Sequence, residues 1–487
     1  MKKLWKEPKI WLLFIFVFVA IIFSPGFSTY FHQDDFLHLE QSQTPRQLIG
    51  AFNLFSKGEF PFYRPIPTQL YFFLGQRIFS LNPFGYHVIN FIVFFINIIL
   101  VYILVSKIVK NKTVGSIASL FFAINSTHFP PLYSPAYVHE LLYVFFGLLV
   151  VTFYLSYLSS NKLYYYFYSL ICFVLALMTK ETAVILPGIL FLCNILLTQK
   201  NSLKELIKRL LPFAAILFIY LFGHVFYYGL AQNTSYQVII GKQNLNILFW
   251  YFLWALSVPN ILIDFIGPGL KINPVFFAIG NWRSYLFITL IPILLSILFF
   301  LILRTFQLNN KLLRKYIILG IGWFVIGLIP LIIFPLHKLA TEQAFSLVGL
   351  SLILGVSVYF NLPRHKYFAL LFSILFLIMA TNSIILARKT HWIVRSANQA
   401  KNTIDYIQTR VPFLKDSDII YFKNGEVKLP TYGSSKQIYY ALGNGVGLKI
   451  IFAKPNLRLY FEDINILPKK LKSNNIIIID SSKLLGY

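Results

Sequence analysis

Carboxylates are scarce in this sequence. Asp and Glu number 17 among 487 residues against 43 Lys and Arg, and charged residues of all kinds make up 12%. A soluble enzyme carries more charge than that. With 57% hydrophobic and 18% aromatic residues, the composition describes an integral membrane protein. Cysteine is rarer still: Cys172 and Cys193 both fall inside apolar runs, which argues against a disulfide framework and makes them small buried hydrophobes. No small-x-small cleavage pattern follows the first apolar run, which leads into Ser24-Pro25-Gly26-Phe27. Its basic start (Lys2, Lys3, Lys6, Lys9) therefore reads as that of an uncleaved anchor. Internal repeats and low-complexity tracts are also missing. The basic excess reads as membrane topology, and no nucleic-acid partner is expected.

What the chain does hold is a succession of apolar runs of about 20 residues, each long enough for a hydrocarbon core of roughly 30 Å. They fall near 10–28, 84–106, 113–127, 138–158, 163–179, 182–198, 209–230, 285–304, 316–335, 344–361 and 367–386. In segment 231–284 the apolar run is broken by Pro259 and ended by Gly267-Pro268-Gly269, which leaves one helix, two short helices or a re-entrant hairpin open. Basic clusters lie at the N-terminus, Lys107/Lys110/Lys112, Lys162, Lys200/Lys204/Lys208/Arg209, Arg304/Lys311/Arg314/Lys315 and Arg364/Lys366. Because short basic loops stay cytoplasmic, segment 231–284 must begin and end outside. The expected fold is a polytopic α-helical membrane protein with an odd number of spans, about 11 to 13, its N-terminus cytoplasmic and its C-terminus extracytoplasmic. Its Lys, Asn and Ile content suggests a bacterial plasma membrane.

Two domains are expected. Residues 1–390 form the transmembrane part, with a long first outer loop at 29–83. In that loop Thr44-Pro45 reads as an N-cap followed by proline at the first helical position, starting a short surface helix. Residues 391–487 form a small extracytoplasmic α/β domain, with a helix over 397–410, strands at 418–422, 448–452 and 476–480, and a turn at Gly443–Gly447.

This topology gathers the rare ionisable residues. Asp34 and Asp35, Arg64, His128, His139 with Glu140, Lys180 with Glu181, and His337 with Glu342 all fall on the outer face. Charge near membrane depth is costly, so the cluster marks a functional site. Group transfer from a lipid-linked donor suits these residue types. A phosphate oxygen leaves as a stable anion without a general acid, so one carboxylate, Asp34, suffices to take the acceptor's proton while the anomeric centre inverts. Arg64, Lys180 and the outward histidines would meet the departing phosphate. The acidic pair Asp34/Asp35 alternatively holds a divalent cation, Mg or Mn.

The same residues resemble a known family. Asp34-Asp35 after the first span is similar to the paired-acid motif in the first outer loop of GT-C glycosyltransferases. Tyr63-Arg64-Pro65 and the stretch Asn82-Pro83-Phe84-Gly85-Tyr86-His87 through Asn90 resemble the protein O-mannosyltransferase-like branch. His128 with Pro130, His139-Glu140, Lys180-Glu181 with Pro187, and His337 to Glu342 look like its later outer-loop motifs, although Gln343 stands where Arg is expected. The resemblance covers roughly residues 10–390. It implies an inverting transferase with Asp34 as base, Asp35 assisting it or holding a metal, and basic residues at the donor phosphate. The implied partners are a polyprenyl-phosphate sugar, membrane lipids and an extracytoplasmic glycan, lipid or protein acceptor. Two other readings stand beside it: a transporter or flippase of lipid-linked glycans, and a glycan polymerase or ligase using a lipid-diphosphate donor.

Overall fold

The computed structural model describes residues 8–57, 62–198, 202–229, 234–308, 310–425, 433–465, 467–468 and 476–486. Lys2, Lys3, Lys6 and Lys200 of the expected basic clusters lie outside them. Polar caps start several of the long helices. Asn82, Asn111, Ser202 and Asn310 each accept a backbone N–H in the first turn of α5 (Pro83–Val109), α6 (Lys112–Ala123), α11 (Leu203–Gly223) and α15 (Lys311–Ile332). The other bundle helices are α1 (Pro8–Phe23), α8 (Val138–Ser160), α9 (Leu163–Leu177), α10 (Leu186–Leu197), α14 (Trp282–Gln307) and α16 (Ser346–Thr390). Among the described residues seven helical segments are long and apolar enough to cross a membrane, and three shorter apolar helices accompany them. α16 breaks into two arms at His365, whose φ/ψ of −130°/42° is non-helical, just after Pro363. With that break, each span expected from the sequence coincides with one of these helices.

The bundle packs through small and polar side chains. Gly320 of α15 and Gly349 of α16 bring two backbones so close that a Cβ on Gly349 would stand 2.5 Å from the Gly320 carbonyl oxygen. Buried asparagines tie helices together by donating to backbone carbonyls of neighbouring segments. Asn97 reaches Leu141 O at 2.8 Å, Asn361 reaches Leu301 O at 3.0 Å, and Asn90 reaches Pro131 O at 2.8 Å.

Segment 231–284 holds two short helices, α12 (Lys242–Ala255) and α13 (Val275–Gly280), rather than a spanning one. Both ends of α12 meet the same end of the bundle. Asn244 at its start bonds to Ile332 O, where α15 ends, and Ala255 O at its finish accepts from Asn125, just past α6, at 2.8 Å. The segment therefore returns to the end it started from.

Between α1 and α5 the chain forms α2 (Asp34–Glu40), α3 (Pro45–Ala51) and α4 (Tyr71–Phe79). Thr44 and Gln47 close a capping box around the start of α3. A short α7 (Phe129–Tyr133) precedes α8.

The C-terminal part begins with α17 (Trp392–Arg410) and continues through β1 (Ile419–Lys423), α18 (Ser435–Ala441), α19 (Val446–Ile451), β2 (Arg458–Phe461) and β3 (Ile476–Asp480). The three strands form a parallel sheet in the order β2-β1-β3, with Ile420 beside Leu459 and Ile477. The strand expected at 448–452 is instead helix α19, and the second strand lies at Arg458–Phe461. Leu448-Lys449-Ile450-Ile451-Phe452 is too short for its period to tell helix from strand, and in the fold it continues from Val446 as a helix that buries Gly447 and Leu448. This sheet layer does not stand apart. Ile420, Phe422, Leu448 and Phe461 share one core with Phe31, Phe36 and Leu39 around α2 and with Phe72 of α4.

Candidate active site

α2 presents two adjacent carboxylates to opposite surroundings. Both lie in its first turn, where the helix N-terminus favours negative charge. Asp35 is wholly buried, and its oxygens are taken. Oδ2 accepts from His32 N at 3.0 Å; Oδ1 accepts from Ala136 N at 2.7 Å and Ser134 Oγ at 3.3 Å. It thus fastens α2 to the turn before α8. Burial pushes its carboxyl up to about 7, against the pull of the two backbone donors.

Asp34 has neither hydrogen bond nor ion pair among the described residues, and it is exposed into a recess of about 300 Å³. The recess is deep enough that desolvation raises the Asp34 pKa above its ordinary value, opposed by the positive charge of His139 and Arg64.

The first loop supplies one side of the recess with His38, Phe62, Arg64, Thr68 and Gln69. The residues before and at the start of α8 supply Ala136, Tyr137 and His139, and the stretch after α15 supplies His337, Leu339 and Glu342. Tyr236 closes it, its ring tilted by 31° over His337 with ring centres 4.4 Å apart. His38 is neutral at physiological pH, because burial and then the charges of His139 and Arg64 push its pKa down to about 3.

An ionic network stands behind these walls. Arg64 is forked onto Glu181, Nε to Oε2 at 2.8 Å and Nη2 to Oε1 at 2.5 Å, and its guanidinium lies over the Phe62 ring. Burial acts against the Arg64 charge, but Glu181 outweighs it and holds the guanidinium pKa above its usual value. Lys180 is buried between Glu140 at 2.5 Å and Glu342 at 3.6 Å. Each of those acids in turn touches a recess histidine, His139 at 3.4 Å and His337 at 3.2 Å. A buried cation shared by two acids keeps either from standing as an uncompensated charge.

The ten residues singled out in the sequence therefore separate by place. Asp34, Arg64, His139, His337 and Glu342 line the recess. Lys180, Glu140 and Glu181 sit behind it, and Asp35 holds α2 from below. His128 stands away from it, buried between the rings of Phe94 and Phe122 with Nε2 2.9 Å from Phe122 O. Tyr236 and Tyr137 went unnoticed in the sequence. Tyr236 lies in the ambiguous segment 231–284 without a flanking motif, and only Tyr137's place beside His139 could have flagged it.

Of the acidic pair, only Asp34 presents unbonded oxygens to the recess, where a cation would have to meet them. The bonded Asp35 oxygens are turned from the recess, and no group of three or more His, Cys, Asp or Glu side chains suited to a metal exists among the described residues.

No family model matches the sequence, and no curated protein matches it. Among solved structures the chain is similar to the oligosaccharyltransferase of Archaeoglobus fulgidus in its apo form, at 13% identity and a TM-score of 0.46 over 90% of this chain and 64% of that one. The same enzyme in complex with zinc and sulfate gives 13% identity and a TM-score of 0.44 over 92% and 62%. The chain spans less than two thirds of the length of the enzyme it matches.

Proposed function

We propose that this protein is an inverting glycosyltransferase of the GT-C type, using a polyprenyl-phosphate sugar at the extracytoplasmic face of a plasma membrane. The observation that carries the reading is Asp34, an unpartnered carboxylate sharing a recess with the paired guanidinium of Arg64. The acceptor hydroxyl gives its proton to Asp34 as its oxygen attacks the anomeric carbon. The bond between that carbon and the phosphate oxygen breaks, its electron pair leaves with the polyprenyl phosphate, and the configuration inverts. Arg64 Nη1, which has no partner among the described residues, and the recess-facing His139 and His337 meet the phosphate. Glu181, Lys180, Glu140 and Glu342 hold those groups in place. In this reading residues 1–390 carry the chemistry and residues 391–487 back the α2 segment. The acceptor is an extracytoplasmic glycan, lipid or protein.

The test is consumption of a panel of polyprenyl-phosphate sugars by purified protein. Asp34→Asn removes the base and is expected to slow transfer by about 10²- to 10⁴-fold with thermal unfolding unchanged. Wild-type turnover by that variant overturns the base assignment, and a wild-type protein that consumes no member of the panel overturns the reaction.

A further inference from the structure

At the other end of α8 and α15 from Asp34 lies a second cavity, of about 440 Å³. It opens between the last turns of α5, α8 and α10 and the first turn of α15. Lys107, Lys110 and Lys315 line it, and among the described residues no acidic one does. Leucines from α8, α10 and α15, among them Leu158, Leu196 and Leu312, make the rest of the wall largely apolar.

Three like charges around one cavity ask for an explanation. Lys107 and Lys315 are half-buried, and none of the three lysines has an ion-pair partner among the described residues; Lys107 Nζ meets only the hydroxyl of Ser156. Half-buried ammonium groups such as those of Lys107 and Lys315 lose hydration without gaining a counter-ion, and an anion among the lysines makes good that loss. The anion must also satisfy an apolar wall. A phosphate on a hydrocarbon chain does so, the phosphate among the lysines and the chain along the leucines.

We propose that this cavity binds the phosphate headgroup of an anionic phospholipid. The assignment is independent of the reaction at Asp34, since none of its residues touches that recess. The test is native mass spectrometry of the full chain released from phosphatidylcholine membranes, with and without phosphatidylglycerol, beside thermal unfolding with inorganic phosphate. The expected result is preferential retention of phosphatidylglycerol, weakened about tenfold or more when Lys107, Lys110 and Lys315 are all changed to Gln. Lys162→Gln with Lys366→Gln, which removes two exposed lysines from the same end of the bundle, is the control and should leave retention intact. Should the triple variant not fold, Lys315→Gln and the cavity-filling Leu158→Trp are read singly, each expected to weaken retention. Equal retention by the cavity variants, or equal loss in the control, overturns the site. Inorganic phosphate raising the unfolding temperature as much as the lipid does overturns the lipid assignment.

Discussion

Asp34 and Asp35 are the same residue type one bond apart, and their surroundings give them opposite uses. Asp34 meets the recess without a donor, while Asp35 spends both oxygens on His32, Ser134 and Ala136. If Asp34 is the base, transfer requires its ionised form, so kcat/KM should fall with falling pH through a pKa above the ordinary carboxyl value of 3.8. A profile flat down to that value contradicts the role. Asp35 makes a separate claim on stability. Its folded-state pKa of about 7 is raised from 3.8, so the folded protein binds this proton more tightly than the unfolded chain. The contribution is fully present below 3.8 and is lost as pH rises through about 7. Thermal unfolding across that window should show a steeper slope in the wild type than in Asp35→Asn, where only Asp34 of the pair still contributes. The same substitution turns an amide NH2 toward a backbone donor and should cost about 1 to 3 kcal/mol at low pH.

At the scale of the element, α2 is held from the C-terminal part of the chain. Gln33, just before α2, has φ of 45°, an arrangement that costs a non-glycine residue on the order of 1 kcal/mol and persists only when its surroundings impose it. The turn before α19 does so. Gln33 N donates to Ala441 O at 2.9 Å, and Gly443, at φ of +58°, lies so close that a Cβ would stand 2.7 Å from Gln33 O. Gly447 lies flat on the ring of Phe36, two residues beyond Asp34, where a Cβ would meet ring atoms at 2.9 Å. Gly447→Ala should therefore displace α2, costing about 1 to 3 kcal/mol and lowering kcat more than it raises the KM for donor. Phe36→Leu in the same chain should restore part of the rate. A loss that Phe36→Leu leaves untouched means that the effect does not travel through this contact. The turn at Gly443-Asn444-Gly445 is legible in the sequence, although the expected turn ran on through Val446 and Gly447, which open α19. Its role is not legible, because nothing in those residues names Phe36, roughly 400 positions earlier in the chain, as their partner.

For the whole molecule, the basic loops order the spans so that the recess and the lysine cavity stand at opposite ends of one bundle. We propose that the N-terminus is cytoplasmic, which would turn the recess and the C-terminal part outward together. Lys436 of α18 is exposed, and the native cysteines Cys172 and Cys193 are buried. A thiol reagent that cannot cross membranes should label Lys436→Cys in intact cells; labelling only after lysis reverses the orientation. The place and order of the spans are legible because apolar length and loop charge are local properties that the bilayer reads directly. So are the caps at Thr44 and Asn82, whose partners lie within three residues. Tertiary structure alone decided how the ionisable residues divide. Lys180 and Glu181 are neighbours in sequence, yet one pairs with Glu140 and Glu342 and the other with Arg64, and neither lines the recess. Whether a carboxylate is a base or a fastening depends on which donors reach it from distant segments, and for Asp35 those come from residues 134 and 136, about 100 positions away. Sequence separation carries no information about such contacts, because packing and not chain order brings the donors there.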